Sequence, residues 1–474
     1  MRFVLIFAFL CFCNGLSAQE MTTTRLWTVM DVDEGEKPTL TLDENDVPHI
    51  AFINEALPGF LKLAKLSGNE FESELITEGY FYGPIDLAFN PVDNTARIAY
   101  HDHDVEDFGY ATESVSGEFT IEFIESSGHD GWDNTIFIED DGKEHLLSTD
   151  AGGDVEYASL NEANEWVVEK TGISRTSYRW ATDIEVVNDV VFAVAYESRS
   201  DNLMLARKEE GSWSTQLITQ SGRYPSLDVD EEGGVMIAYF KKIEGSTGFV
   251  EVAQFGPSGL EFSVVDTLLN FDEGNARNVV KVQRNNQNTY VAYSDTKEFK
   301  LATLDGEDWQ IENVLDFRNE DTVLRNMSAM DIDKDGKFHF STYRAEAGAA
   351  AGGMIMYMTD RDLSTDGGNM ESTTVTKNIQ FSIEDSEGNI VPSTEITMES
   401  MEGETLITQT SELLFSLANE SILSEDIQVC VSSSDLAIND VSSTDVVRAL
   451  RIILGSVSPC PENIIAADVN EDGL

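Results

Sequence analysis

The residues best placed for chemistry are a pair of histidines, a set of arginines and two runs of spaced oxygens. In "YHDHDVED", residues 100–107, His101 and His103 sit among acids just after an apolar run. Two histidines at i, i+2 can share a metal, and a histidine beside a carboxylate can move protons. No third ligand is in view in the sequence, so the preferred reading is an exposed polar loop. His49 follows Pro48 at a strand start and reads as structural. Patterns for a serine-hydrolase elbow and a phosphate loop are absent. No catalytic set is identified.

The cations are few and oddly placed. Against 87 Asp+Glu the chain has only 30 Lys+Arg, a net charge of −57. Such a field repels phosphate backbones, which excludes nucleic acid as a partner and suits a soluble, solvated surface. Yet basic residues recur just ahead of certain apolar runs: Lys37, Arg179, Arg223, Arg277 and Arg325. Guanidinium groups pair bidentately with carboxylate or sulfate, and the neighbouring rings of Trp180 and Tyr224 can stack on sugars. These residues are the candidate site for an acidic glycan, with binding expected to weaken in salt. The competing reading is that each arginine neutralises a nearby acid.

Metal chemistry is suggested at the C-terminal end. Asp468, Asn470 and Asp472 occupy positions 1, 3 and 5 of a calcium loop, with Gly473 at position 6. Such a loop takes twelve residues, and this one stops at the seventh. "DIDKDGKFHFST" (331–342) has similar spacing, but His339 and Thr342 replace the later ligands, and a plain hairpin turn is preferred.

A period positions all of this. Buried-type alanines after apolar runs recur at Ala64, Ala111, Ala158, Ala206, Ala253 and Ala302, 47–49 residues apart. About eight residues after each comes an aromatic: Phe71, Phe119, Trp166, Trp213, Phe262 and Trp309. Upstream lie two further apolar runs joined by Asn-, Asp- and Gly-rich turns. Four short strands per unit make a propeller blade. A seventh unit starting near Met327 lacks its fourth strand, while "RLWTVMDV" near the N-terminus supplies one, with Trp27 at the aromatic position. An unpaired edge is hazardous and a closed ring removes it. Residues 19–363 are therefore predicted to form an all-β, seven-bladed propeller closed by the N-terminal strand, its first strands opening together on one face.

The units "PHIAF…LKLAK…W" resemble secreted bacterial sialidase-like (BNR-type) propeller repeats. The Asp-box turn of catalytic sialidases, S-x-D-x-G-x-x-W, is absent, "SSGHDGWDN" lacking its spacing. After a polar linker (364–374), the alternating residues 375–432 resemble prealbumin-like or carboxypeptidase-regulatory modules, implying a small β-sandwich. "VSSTDVVRALRIILGSVSPCPENIIAADVNEDGL" resembles a dockerin, a calcium-dependent anchoring module, whose helix Gly455 would close. In its first loop Ser434, Leu436 and Ile438 stand where oxygen ligands belong, so calcium is expected only with a complete second loop. Residues 433–474 are expected to be such a module cut short.

The compartment is read from the start of the chain. Arg2, the apolar run 3–12 and Leu16-Ser17-Ala18 form an expected signal peptide (1–18), giving an extracellular, secreted protein without a membrane span. Its removal leaves Cys430 and Cys460, for which a disulfide is expected. The function expected from the whole is a monomeric propeller that binds carbohydrate or acts as a scaffold, held by an extracellular anchoring partner. Alternatives are a polysaccharide lyase or glycoside hydrolase, and an adhesive surface protein without a sugar ligand.

Overall fold

In a computed structural model, residues 25–363 are described except for loop segments 55–57, 125–130, 175–181, 245–246, 257–258, 269–279, 286–287, 307, 319 and 347–351. Beyond them, five strands between 377 and 432 are described. The chain divides into two units, one of which contains Trp27–Met370.

That unit is a seven-bladed β-propeller, and each blade is a four-stranded antiparallel sheet. The inner strands are Glu36–Leu42, Phe81–Asn90, Thr135–Ile138, Asp183–Val187, Gly222–Val229, Val280–Arg284 and Thr322–Ile332, here taken as blades 1 to 7. They neighbour one another around the ring. Blade 7 is completed by Thr28–Glu34, which pairs antiparallel with Met354–Thr359, Met30 opposite Tyr357. Trp27 packs 5.4 Å from Phe340, in the aromatic slot expected of a fourth strand.

Burial explains why the repeat is legible. Second strands lie between two neighbouring blades, so Glu144–Thr149 and Thr289–Ser294 are buried at every position. Fourth strands form the outer wall and are largely exposed, as in Glu70–Gly79. Each junction between successive blades encloses its own apolar cluster. The recurrent alanines are buried there, because a third strand facing a neighbouring sheet leaves little room. The fourth-strand aromatic reaches back to the preceding blade: Trp166 meets Tyr110 at 5.4 Å and Trp213 meets Tyr157 at 5.5 Å.

Successive inner strands belong to separate sheets, which leaves backbone donors to satisfy near the axis. Aspartates do this from the neighbouring blade. Asp86 accepts from the Ile136 N–H (2.9 Å), Asp183 from Leu227 (3.0 Å), Asp228 from Arg284 (2.7 Å) and Asp331 from Leu42 (3.0 Å). Part of the acidity of this chain is therefore structural.

The hairpins use one side-chain device. Asp43, Asp230 and Asp333 each accept two backbone N–H bonds within their own turn. Asp333 is the third residue of the 331–342 stretch with calcium-like spacing, which forms a hairpin turn between the first two strands of blade 7. His49, His145 and His339 are buried at second strands; His145 and His339 each meet a tyrosine hydroxyl at 2.6 Å.

In the other unit, Lys377–Gln380 pairs with Leu414–Leu417, and Glu395–Ser400 lies between Thr405–Thr410 and Ile427–Ser432. Cys430 stands opposite Thr397. The expected signal peptide, linker and dockerin-like segment lie outside the described residues, including Cys460, Asp468, Asn470 and Asp472. Among the described residues no helix is long and apolar enough to cross a membrane.

Candidate functional site on the propeller face

The second strand of blade 2, Thr95–Asp102, turns through residues 103–106 into its third strand, Asp107–Glu113. Beside that turn the inner strand of blade 2 begins with an irregular register between Tyr82 and Asp86. The irregularity needs Gly83: its φ is +83°, and a Cβ there would lie 2.6 Å from the Trp132 carbonyl oxygen. Tyr82 is thereby brought against Trp132, ring centroids 5.7 Å apart and edge to face.

Five rings and two charged side chains converge here. His101 is fully buried and stacks on Trp132 at 4.2 Å. His103 lies 4.6 Å from Tyr80, and its backbone N–H donates to the Tyr80 carbonyl at 2.8 Å. Glu106 turns back on both imidazoles, 3.1 Å from His103 Nδ1 and 3.7 Å from His101 Nε2. It has a φ of +60°, a costly conformation for a residue with a long side chain. The Lys37 ammonium of blade 1 sits 4.7 Å over the Tyr82 ring. Lys37, Tyr80, Tyr82, His103 and Trp132 are all half-buried, so each keeps a solvent-facing edge.

The residue before His101 packs into the junction between blades 1 and 2. Tyr100 is fully buried, and burial together with the Asp102 charge pushes its phenol well above the ordinary range. Gly109 makes room for it, since a Cβ there would come within 2.4 Å of the Tyr100 ring. Burial also raises the Asp102 carboxyl, partly offset by backbone N–H bonds from residues 104 and 105.

Deeper in the channel, Asp86, Asp183 and Lys281 stand at one level, each opposite the matching second-strand residue, Ala99, Val194 and Ala292. Burial pushes Asp86 up to about 6, although Lys281 and two backbone N–H donors oppose it. For Lys281 burial acts downward, but Asp183 and Asp86 outweigh it and its pKa is raised. Its side chain still has 28% exposure and lies 3.7 Å from Asp183, so channel water reaches the ammonium. Burial and neighbouring acids likewise drive Glu185 well above the carboxylate range.

The arginines expected to bind glycan are placed differently. Arg223 is committed to Asp201 at 3.5 Å and lies over Tyr196 at 5.3 Å, which is the charge-neutralising alternative. Tyr224 is 1% exposed within the cluster between blades 5 and 6, so its ring offers no face to a sugar. Arg325 is half-buried on the inner strand of blade 7. Arg179, Trp180 and Arg277 lie outside the described residues. The exposed polar loop expected at 100–107 is corrected at His101, which is buried, and Glu106 supplies the third group that the sequence reading did not find. Tyr80, Tyr82 and Trp132 were missed as well. Their signal is positional: Trp132 stands three residues ahead of Thr135, as Arg223 stands three ahead of Ser226. On the same face, a cleft of about 540 Å³ at the seam of blades 7 and 1 is lined by Glu34, Asn54, Thr322, Arg344 and Glu346.

No family model matches this chain, and no curated protein matches it in sequence. Solved structures similar to it include the polysaccharide lyase Uly1, at 12% identity and a TM-score of 0.44, covering 68% of this chain and 89% of that one. The SapL1 lectin, determined with alpha methyl fucoside, is similar at 11% identity and a TM-score of 0.43, covering 60% and 97%. A hypothetical selenium-binding protein from Sulfolobus tokodaii is similar at 10% identity and a TM-score of 0.44, covering 64% and 86%. At these values the likeness is distant, and function is read from this chain's own residues.

Proposed function

We propose that this is an exported carbohydrate-binding propeller whose ligand face is the opening formed by blades 1 to 3. The observation that carries the reading is the half-exposed cradle of Tyr80, Tyr82 and Trp132 with the Lys37 ammonium over its edge. Aromatic faces pack on the apolar C–H faces of sugar rings, and a partly desolvated ammonium favours a carboxylate or sulfate on the ligand. Net charge of −57 works against long anionic polymers, so the acidic substituent belongs close to Lys37, on a short stretch of glycan. In the same reading the leader at 1–18 exports the chain. The dockerin-like segment, carrying Asp468, Asn470 and Asp472, is the calcium-dependent tether.

Calorimetry of the full chain with matched neutral and uronate oligosaccharides tests this. Binding that prefers the uronate, and loses that preference in Lys37→Ala, is expected. No binding by the parent protein to either series overturns the proposal. Release of unsaturated product from a uronate polymer would replace binding with catalysis.

A further inference from the structure

We propose that His101, His103 and Glu106 form a binding site for one divalent first-row transition metal, zinc by its ligand set. Their donor atoms lie within 4.8 Å of one another. The two imidazole-to-carboxylate separations are 3.7 Å for His101 Nε2 and 3.1 Å for His103 Nδ1. A tetrahedral zinc with bonds of about 2.0–2.1 Å spaces its donors by roughly 3.3 Å. Each imidazole faces its own Glu106 oxygen, His103 the Oε1 and His101 the Oε2, and the full set spreads over as much as 4.8 Å, so closure on a metal draws the donors in by up to about 1.5 Å from that spacing.

The donors are held before any ion arrives. His101 is fixed by burial and by stacking on Trp132 at 4.2 Å. His103 is anchored through its backbone N–H to Tyr80 and by the Tyr80 ring beside it. Glu106 is aimed inward by its left-handed backbone at φ +60°. Two neighbouring acids are spoken for: Asp102 accepts from the Asp104 N–H at 3.0 Å, and Asp104 accepts from the Tyr80 N–H at 2.9 Å. Two nitrogens and one carboxylate favour zinc-like ions over calcium or magnesium, which take all-oxygen shells. Three protein ligands leave a fourth position for water or a ligand hydroxyl. His103 and Glu106 are 28% and 30% exposed, so that position opens toward solvent beside Trp132.

The test uses untagged full-length protein dialysed against a chelator. Zinc chloride is titrated in by calorimetry with excess magnesium present, which occupies oxygen-only sites among the 87 acids. One equivalent of zinc is expected to bind, and cobalt(II) is expected to give a tetrahedral visible spectrum at the same stoichiometry. His103→Ala and Glu106→Gln should each weaken zinc at least tenfold while melting like the parent; these two are chosen because His101→Ala at a buried position is prone to unfold. Trp132 fluorescence should be quenched by cobalt in the parent and not in His103→Ala. The absence of a stoichiometric site, or a site kept at full strength in both variants, overturns the proposal.

Discussion

In blade 2 the turn after the second strand runs from 103 to 106 and ends on Glu106; in blade 4 the matching turn runs from 198 to 201 and ends on Asp201. Both acids are left-handed, at φ +60° and +57°. Each faces the residue just before the last paired position of the second strand, His101 in one blade and Tyr196 in the other. Over that residue lies a side chain from the next blade: Trp132 stacks on His101, and the Arg223 guanidinium covers Tyr196. The backbone device is the same.

Its contents are opposite in purpose. Asp201 accepts the Tyr196 hydroxyl at 2.5 Å and the Ser221 hydroxyl at 2.6 Å, with Arg223 at 3.5 Å. Burial works against its ionisation, but those donors and the Arg223 charge hold its carboxyl below the usual range. Burial, then the bond to Asp201, pushes the Tyr196 phenol up to about 12. Blade 4 is thus a closed polar knot that stabilises the ring. Blade 2 fills the same frame with imidazoles and an aromatic rim, groups that bind metals and sugars. One fold supplies both, and only side-chain chemistry tells them apart.

Converting one turn into the other tests that contrast most severely. The triple change His101→Tyr, Glu106→Asp and Trp132→Arg puts the tyrosine, aspartate and arginine of the blade 4 knot into blade 2. Glycan and zinc binding should both fall to background while cooperative unfolding is retained. Binding that survives this exchange would show that the blade 2 turn is not the site.

Single changes separate the two roles. Trp132→Ala is expected to weaken oligosaccharide binding about tenfold, roughly 1.4 kcal/mol, and to cost some denaturant stability as well, because it uncovers His101. Arg223→Ala should act on stability alone: sugar affinity unchanged, and stability lowered by about 1 kcal/mol through lost packing on Tyr196 and a half-exposed ion pair. Calorimetry and urea unfolding on the same preparations decide both, and an affinity loss in Arg223→Ala would restore arginine to the binding site.

The ring was legible in sequence because propeller strands are constrained every 47–49 residues by neighbouring sheets. Second strands buried on both faces read as continuous apolar runs, and most fourth-strand aromatics had a fixed partner across the junction. Trp27 could even be assigned to blade 7 from the missing strand. The site was less legible because it is assembled across blades. Nothing local to "HDHDVE" says that Trp132, some thirty residues on, will cover His101, or that Glu106 will adopt the backbone that turns it inward. The arginines were conspicuous as rare cations, yet Arg223 had an acid waiting in the adjacent blade. Tyr224 was drawn into the core by its own left-handed backbone, φ +53°.

The contrast between blades 2 and 4 extends to the channel, where Asp86 and Asp183 occupy matching positions and Lys281 lies nearer Asp183. Asp86 has its pKa raised by burial from the ordinary 3.8 to about 6. A carboxyl raised in the folded state takes up a proton on folding between those values. Its contribution is therefore full below about pH 4 and is lost as pH rises through about 6. Asp86→Asn removes the titration while keeping an acceptor oxygen for the Ile136 N–H. The stability of the parent relative to this variant should fall by about 1–3 kcal/mol from about pH 4 to about pH 7 and then level off. Asp183→Asn instead strips Lys281 of its nearer counter-charge and should destabilise at every pH in that window. Urea unfolding across the range checks both. Parallel curves for the parent and Asp86→Asn would mean that Lys281 neutralises the two aspartates alike, and the channel would then not share the asymmetry of the face above it.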